Sequence, residues 1–169
     1  MIAIDAEFTG EAYRQIMEFC FLKSDAVSLT YHNHGMPFKR NIRDIRKSLR
    51  PYRISSSRNL RKHGKEYDPW SSESADSRWF RADRAEQLFE DTYRLTEEIR
   101  EYILAADGIY AWEYPDRPEE LTFYKADKLW FWSRSHEGLR GCCVYDNERE
   151  MRLLLNKLKV DYAWSRSDD

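Results

Sequence analysis

The sequence predicts an α+β protein in which an antiparallel meander of four to five strands has helices packed on one face. Residues 9–24 and 147–158 carry apolar side chains at helical spacing, and residues 82–106 carry the same spacing over a greater length. Runs rich in aromatic and β-branched residues lie at 26–32 and within 109–145. Short turns join these runs, which favours antiparallel pairing with the helices on one side of the sheet.

Composition and length bound the class of protein. The chain has 169 residues, of which 41% are hydrophobic and 15% aromatic, so we expect a single packed domain over 1–169. No apolar run approaches the roughly 18 residues that span a bilayer, and the first residues lack the basic and apolar regions of a signal peptide. The three cysteines form no CxxC pair, which favours free thiols in a reducing compartment. We therefore expect a cytoplasmic protein with no membrane association.

The N-terminal part predicts one helix and one strand. The helix over 9–24 has its apolar stripe at three- and four-residue spacing, on Tyr13, Ile16, Met17 and Cys20. The run AVSLTYH over 26–32 predicts a strand because it is β-branched and aromatic, and the residues that follow it are turn formers. The helix is expected to pack its stripe on the sheet.

A basic block over 39–65 changes the meaning of the net charge. It holds eleven Lys and Arg and a single acid, Asp44, so its net charge is +10 and the other residues carry −12 of the total of −2. Residues 41–50 predict a short helix that Pro51 stops. From 55 to 77 the sequence is rich in Ser, Arg and Asp without periodicity, so we expect a basic irregular excursion at about 39–77.

Residues 82–106 predict the longest helix of the chain. Leu88, Phe89, Thr92, Ile99 and Ile103 follow helical spacing, and charged residues fill the opposite side. At 1.5 Å per residue this helix is roughly 37 Å long. A helix of that length is expected to lie along the whole sheet.

The C-terminal part predicts the antiparallel meander. Aromatic or apolar runs at 109–114, 121–125, 128–134 and 139–145 predict four strands, separated by short turns. The helix over 147–158 follows, with an apolar stripe that includes Met151, Leu154, Leu155 and Leu158. Together with strand 26–32 these segments make the predicted sheet.

Aromatic residues of the meander are the first candidate binding site. If strand 128–134 turns Leu129 and Phe131 inward, Trp130 and Trp132 point outward beside Tyr124 of the neighbouring strand. Trp and Tyr are frequent anchors of protein interfaces, and such a platform also stacks bases. The alternative is a central strand that is buried on both sides.

The basic block is the second candidate binding site. Arg43, Arg46, Lys47 and Arg50 belong to its predicted helix, where their charges could bind phosphates or an acidic protein. The block could equally dock on the acidic residues of the protein itself, or form a solvated segment. The −12 on the other residues would repel a nucleic acid unless it lies on the far side of the molecule.

Signals for catalysis are weak. His32 and His34, two apart on a strand, would face the same side and could share a metal, but no third ligand is near in sequence. Cys143 with His136 and Glu137 could form a nucleophile and base, although residues adjacent on a strand point in alternate directions. The motifs GxSxG, GxGxxG and HExxH are all absent, as is a P-loop. We expect no cofactor and favour a binding protein over an enzyme.

The segment from Asp107 to Leu158 resembles a known class of protein. It reads DGIYAWEYPDRPEELTFYKADKLWFWSRSHEG and continues into a Glu-rich helix. This order of aromatic strand, Pro-flanked Glu-Glu-Leu loop, aromatic hairpin and Ser-His-Glu turn resembles the C-terminal part of small bacterial α+β proteins of the immunity type. The resemblance covers about a third of the chain and implies a protein that neutralises a toxin by binding it.

The sequence therefore predicts a non-catalytic protein that binds a macromolecule, most specifically an immunity-type or other inhibitor of a protein partner such as a toxin. Opposed charged patches would steer the encounter and aromatic anchors would supply affinity. The alternative is a nucleic-acid-binding protein or nuclease that uses the 39–65 block with His32 and His34. A small enzyme acting through Cys143 is a third hypothesis.

Overall fold

The computed structural model describes residues 1–32, 37–61, 86–134 and 141–164. Within these ranges the chain forms one eight-stranded sheet and four α-helices. The helices are α1 (Gly10–Lys23), α2 (Arg40–Ser48), α3 (Glu97–Leu104) and α4 (Glu148–Leu158). The strands are β1 (Ile2–Ile4), β2 (Ala26–His32), β3 (Arg53–Arg61), β4 (Glu86–Arg94), β5 (Glu120–Lys125), β6 (Lys128–Arg134), β7 (Gly141–Val144) and β8 (Ala163–Trp164). Short 3-10 turns lie at Arg50–Tyr52 and Ile109–Ala111.

The sheet is antiparallel and has the order β3-β4-β2-β5-β6-β7-β1-β8. Only β3–β4 and β5–β6–β7 bring strands together in chain order. Strand β1 lies between β7 and β8, so that Ile2 pairs with Val144 on one side and with Trp164 on the other. Strands from the two ends of the chain therefore pair at this edge of the sheet, where β8 is the last strand.

One face of the sheet, the helix face, carries the core. Val27, Leu29 and Tyr31 of β2 point to it, and Phe123 of β5 pairs with Val27. Phe21 of α1 packs edge-on against Phe123 with ring centroids 5.5 Å apart. Helix α2 lies over β4, and α4 reaches β8, where the Arg152 guanidinium stands 4.2 Å above the Trp164 ring. Helix α3 packs on α1.

The opposite face, the open face, is polar near its centre. The strand registers place on it alternate residues of β2, β4, β5, β6 and β7. These include Ser28, Thr30, Glu90, Thr92, Glu120, Thr122, Tyr124, Leu129, Trp132, Arg134 and Cys143. Hydroxyls line its central strands, and the hydroxyls of Ser28 and Thr92 lie 2.8 Å apart. None of the four helices in the described ranges lies over this face.

A chain of buried hydrogen bonds joins Trp112, Tyr13 and α3 in the core. Trp112 is buried and its Nε1 donates to the Tyr13 hydroxyl at 3.0 Å. That hydroxyl in turn donates to the Ile103 carbonyl at 2.8 Å, which joins α1 to α3. Burial raises the pKa of Tyr13, so it remains a neutral donor. The aromatic side chains thus fill the core without leaving these polar atoms unsatisfied.

The structure confirms the α+β class and several elements of the prediction. Helix α1 fits the apolar stripe of 9–24, and β2 has the predicted bounds of 26–32. The hairpin of β5 and β6 forms across Ala126 and Asp127, which both adopt positive φ angles. Helix α4 follows the predicted stripe, and the helix predicted at 41–50 is α2.

The prediction of one long helix over 82–106 was wrong. Residues 86–94 form strand β4 between β3 and β2, and within the described part of this segment the helical residues are Glu97–Leu104. The run LFEDTYR fits both periods. Leu88, Phe89 and Thr92 have helical spacing, whereas Phe89, Asp91 and Tyr93 are two residues apart and would share one face of a strand. The aromatic and β-branched residues fit a pleated sheet well, and pairing on both sides decided the outcome.

The prediction of four to five strands was also too low. Residues 53–61 of the predicted irregular excursion form the edge strand β3, and residues 62–77 lie outside the described residues. The predicted strand at 109–114 is instead a 3-10 turn followed by irregular backbone that buries Trp112. The short strands β1 and β8 carry too few residues for a periodic signal, and tertiary pairing alone defines them.

Candidate functional site

The structure places the predicted binding residues on both sides of the sheet, buries Trp130 in the core and pairs the partly exposed Arg46 with a buried carboxylate. Arg43, Lys47 and Arg50 are exposed on or directly after α2, whose apolar side packs on the helix face. Tyr124 and Trp132 lie on the open face, on the other side of the sheet. Arg46 and Trp130 are held by internal contacts, so the predicted residues do not form one surface.

Arg46 is held by a buried carboxylate. Its Nε donates to Asp91 Oδ2 at 2.6 Å and its second terminal nitrogen donates to Oδ1 at 3.0 Å, a bidentate pair. Asp91 is fully buried on β4 and also accepts from Ser56 and Arg53. The Arg46 guanidinium stands 4.0 Å from the Phe89 ring centroid, within range of a cation–π interaction. Arg46 therefore fixes α2 to the sheet.

The hydrogen bonds of this cluster keep Asp91 and Arg46 in their charged forms. Burial alone would raise the pKa of Asp91, but the hydrogen bonds from Arg46, Ser56 and Arg53 outweigh it and hold that pKa below its ordinary value. The hydrogen bond to Asp91 raises the pKa of Arg46. Asp91 also accepts from the Tyr93 hydroxyl at 3.3 Å, and burial raises the pKa of that phenol. The charges of Asp91 and Arg46 are thus used inside the protein.

Trp130 points to the core, contrary to the prediction that it faces outward. Tyr124 pairs with Leu129 but Phe123 pairs with Phe131, so β6 carries an extra residue in a β-bulge. The bulge breaks the strict alternation and turns Trp130 toward α1. The Trp130 ring centroid lies 6.1 Å from that of Phe19, and its Nε1 donates to the Ser24 hydroxyl at 2.7 Å. The side chain is 1% exposed.

Trp132 and Tyr124 do lie on the open face, where polar neighbours hold each of them. Trp132 Nε1 lies 3.5 Å from Glu120 Oε2, and the Arg134 guanidinium stands 5.1 Å from the Trp132 ring. The Tyr124 hydroxyl donates to Glu90 Oε1 at 3.0 Å, across β2. Burial and then the Glu90 charge raise the pKa of Tyr124. Both aromatic side chains are half-buried and fixed in orientation.

Sequence reasoning missed two exposed members of the same surface. Leu129 is 40% exposed and pairs with Tyr124. Tyr145, directly after β7, is 48% exposed, and its hydroxyl bonds with Cys143, the cross-strand partner of Trp132. We call Tyr124, Leu129, Trp132 and Tyr145 the aromatic patch. Its signal in sequence was weak, because Leu129 was expected to point inward and Tyr145 to end a strand.

The described residues offer little support for the predicted catalytic sites. His32 is buried on β2, and its Nδ1 lies 3.4 Å from Oε2 of the buried Glu119, a contact that orients a histidine ring. His34, His136 and Glu137 lie outside the described residues. Among the residues that are described, no three His, Cys, Asp or Glu side chains are grouped so as to hold a metal ion. The described part of the chain thus gives no metal centre for a nuclease.

No protein-family model, no curated protein and no solved structure matches this chain. The resemblance to immunity-type proteins therefore stays a prediction from the sequence. In the described ranges no helix has the length and apolar character needed to cross a membrane. The described residues thus offer two candidate binding surfaces, which are the aromatic patch and the exposed side of α2.

Proposed function

We propose that this protein is a non-catalytic binding protein that docks a protein partner on the aromatic patch of its open face. The observation that supports this most is the placement of Leu129 and Tyr145. Both are substantially exposed, and they lie at the end of the sheet that carries Trp132. Large apolar side chains of this kind, next to polar groups, are typical of protein interface centres.

The surroundings of the patch also favour a protein partner. Glu120, Arg134 and Glu90 lie beside the aromatic rings and supply charged groups of both signs. Such a rim suits a protein surface, which offers both donors and acceptors, better than it suits a uniformly anionic polymer. The half-buried rings are already fixed by hydrogen bonds, so binding would cost little side-chain entropy.

The more specific form of this proposal is an immunity-type inhibitor that binds a toxin and occludes its working surface. It draws on the resemblance of residues 107–158, and all four residues of the aromatic patch lie within that segment. No catalytic residue is required for inhibition by occlusion. The partner would then be encoded or produced together with this protein in the native host.

The test begins with co-purification of a partner from the native host, followed by affinity measurement with the purified partner. We expect Tyr145→Ala and Leu129→Ala each to weaken the affinity about tenfold or more, because exposed anchors at an interface centre carry most of the binding energy. Leu153→Ala is the matched control, since Leu153 is a 64% exposed leucine on α4 and lies away from the open face. Circular dichroism would verify that each variant is folded.

Equal affinity of the patch variants and the control for the partner would refute the proposal. Trp130→Ala is unsuitable as a test, because Trp130 is a core residue and its removal would destabilise the fold by about 3–5 kcal/mol. Trp132→Ala is suitable as a third variant, with its loss of affinity expected to be similar. The specific immunity form fails if the purified partner keeps its full activity when it is bound.

A further inference from the structure

We propose that α2 presents a second binding surface, separate from the aromatic patch, which holds the phosphate backbone of a nucleic acid. The surface is formed by exposed cations on and beside α2, which we call the cationic stripe: Lys39, Arg40, Arg43, Lys47 and Arg50. This surface lies on the helix side of the sheet, whereas the aromatic patch lies on the open face. The two surfaces could therefore act independently.

Helix geometry gathers these charges on one side. Arg40, Arg43 and Lys47 are three and four residues apart, so they lie within one stripe along the helix. The buried side chains of Ile42 and Leu49 occupy the opposite side and fix the helix to the core. From Arg40 to Lys47 the stripe extends about 10 Å, which is long enough to contact more than one phosphate of a nucleic-acid strand.

The lock between Arg46 and Asp91 makes the stripe a fixed surface. It ties α2 to β4, because Arg46 donates to both carboxylate oxygens of the buried Asp91. A further exposed cation outside the stripe, Arg58 of β3, lies beside α2, since its guanidinium and that of Arg46 both stand over the Phe89 ring. Fixed charges lose less conformational entropy on binding than mobile ones.

The charges of the stripe are available to a ligand. Arg40 lies 3.6 Å from Asp44, but both side chains are well exposed, and an exposed pair of this kind contributes little. Within the part of the chain that the structure describes, Arg43, Lys47 and Arg50 have no carboxylate at ion-pair distance. The buried Asp91 is shared by Arg46 and Arg53. The stripe therefore keeps most of its positive charge.

The character of the stripe favours a nucleic acid over an acidic protein. A protein interface usually needs apolar or aromatic anchors at its centre, but the apolar residues of α2 face the core. A phosphate backbone is bound by Lys and Arg without such anchors, and the affinity comes from release of counterions. Acidic residues elsewhere in the protein are screened beyond about 8 Å at physiological salt.

The experiment measures binding of a short single-stranded RNA and a short DNA duplex by fluorescence anisotropy over a range of salt concentrations. The variant R40Q/R43Q/K47Q removes three charges of the stripe. We expect it to weaken binding at least tenfold at about 50 mM salt, and to reduce the slope of log affinity against log salt by about 2. The matched control R14Q/R149Q/K157Q removes three exposed cations from α1 and α4, including one that, like Lys47, lies in a last helical turn.

Three outcomes would overturn the proposal. One is that neither nucleic acid binds to the unmodified protein at low salt. Another is that the control triple variant loses as much affinity as the stripe variant, which would indicate a general charge effect. The third is that polyglutamate at equal charge displaces the nucleic acid completely, which would assign the stripe to an acidic protein. The variant Y145A should retain nucleic-acid binding, which separates this proposal from the one on the aromatic patch.

Discussion

At the scale of single residues, Asp91 of β4 is a buried carboxylate that binds side chains from two other elements. A fully buried carboxylate is costly unless it is paired and hydrogen-bonded, and Asp91 accepts from Arg46, Arg53 and Ser56. These bonds connect α2, β3 and β4. The sequence identified Arg46 as a cation but not its partner, since the two residues are 45 positions apart and strand pairing alone brings them together.

Asp91→Asn should lower the free energy of unfolding by about 3 kcal/mol at neutral pH, because it leaves Arg46 and Arg53 without their counter-charge. The pKa of Asp91 is depressed in the folded protein, so its stabilising contribution is complete above the unfolded pKa of about 4 and is lost as pH falls through the folded value. Urea unfolding should therefore show the largest difference between the two proteins above about pH 5 and a smaller one at low pH.

Asp44→Asn is the matched control for this prediction. Asp44 is exposed, and among the described residues its ion-pair partner is Arg40 at 3.6 Å, so its substitution should change stability by less than about 0.5 kcal/mol. If Asp91→Asn were as mild as Asp44→Asn, or if its effect did not depend on pH, the role assigned to the buried pair would be wrong.

Two glycines near the start of α1 should respond differently to alanine. A Cβ on Gly108 would lie 2.7 Å from Thr9 Cγ2 and 3.0 Å from the Phe8 carbonyl oxygen, so we expect Gly108→Ala to cost about 1–3 kcal/mol through overpacking. Gly10 has a φ of +54° and open space around it, so Gly10→Ala should cost about 1 kcal/mol through backbone strain alone. Thermal unfolding would compare them, and a neutral Gly108→Ala would contradict the close packing.

At the scale of elements, the run 86–94 shows that the spacing of apolar residues does not by itself distinguish a helix from a strand. Its apolar residues fit a helix, yet the chain forms β4 between two strands. The decisive interactions are non-local: the backbone ladder to β2, the buried partner set of Asp91, and the bond between the hydroxyls of Tyr31 and Tyr93 at 2.9 Å. Helix α3 survives because its acidic first turn and its buried Ile99 and Ile103 are local features that agree with the tertiary structure.

Substitution at Thr92 distinguishes the strand from the predicted helix. In a helix, Thr92→Ala would stabilise by a few tenths of a kcal/mol, because alanine has the higher propensity. In β4 we expect it to destabilise by about 1 kcal/mol, since it removes a β-branched residue and the hydroxyl that bonds to Ser28. Thr92→Val keeps the branching, so it should cost less in a chemical unfolding experiment. A gain of stability in Thr92→Ala would contradict the strand.

At the scale of the whole molecule, the two proposed surfaces lie on opposite sides of the sheet. The net charge of −2 hides a basic block of +10, and the cationic stripe is an exposed part of that block. The helix side therefore carries a concentrated positive surface, and the open face carries the aromatic patch with charges of both signs beside it. This separation allows a protein partner and a nucleic acid to be bound at different sites.

The topology also has a kinetic consequence. Pairs such as Ile2 with Val144 and Ile2 with Trp164 join distant parts of the chain, and antiparallel pairing of β2 with β5 is likewise non-local. Proteins dominated by such contacts fold on the scale of about milliseconds to seconds. We expect stopped-flow tryptophan fluorescence to give a main refolding phase in that range. A main phase in microseconds would be inconsistent with this sheet.

The sequence by itself determined the α+β class, helices α1 and α4, strand β2 and the β5–β6 hairpin, because their signals are local periodicities and turn residues. It also identified the basic block and the aromatic hairpin as candidate surfaces. Only the tertiary structure decided that 86–94 is a strand, that Trp130 and Arg46 turn inward, and that Leu129 and Tyr145 remain exposed. Those outcomes depend on a β-bulge and on partners far along the chain, which no local pattern records.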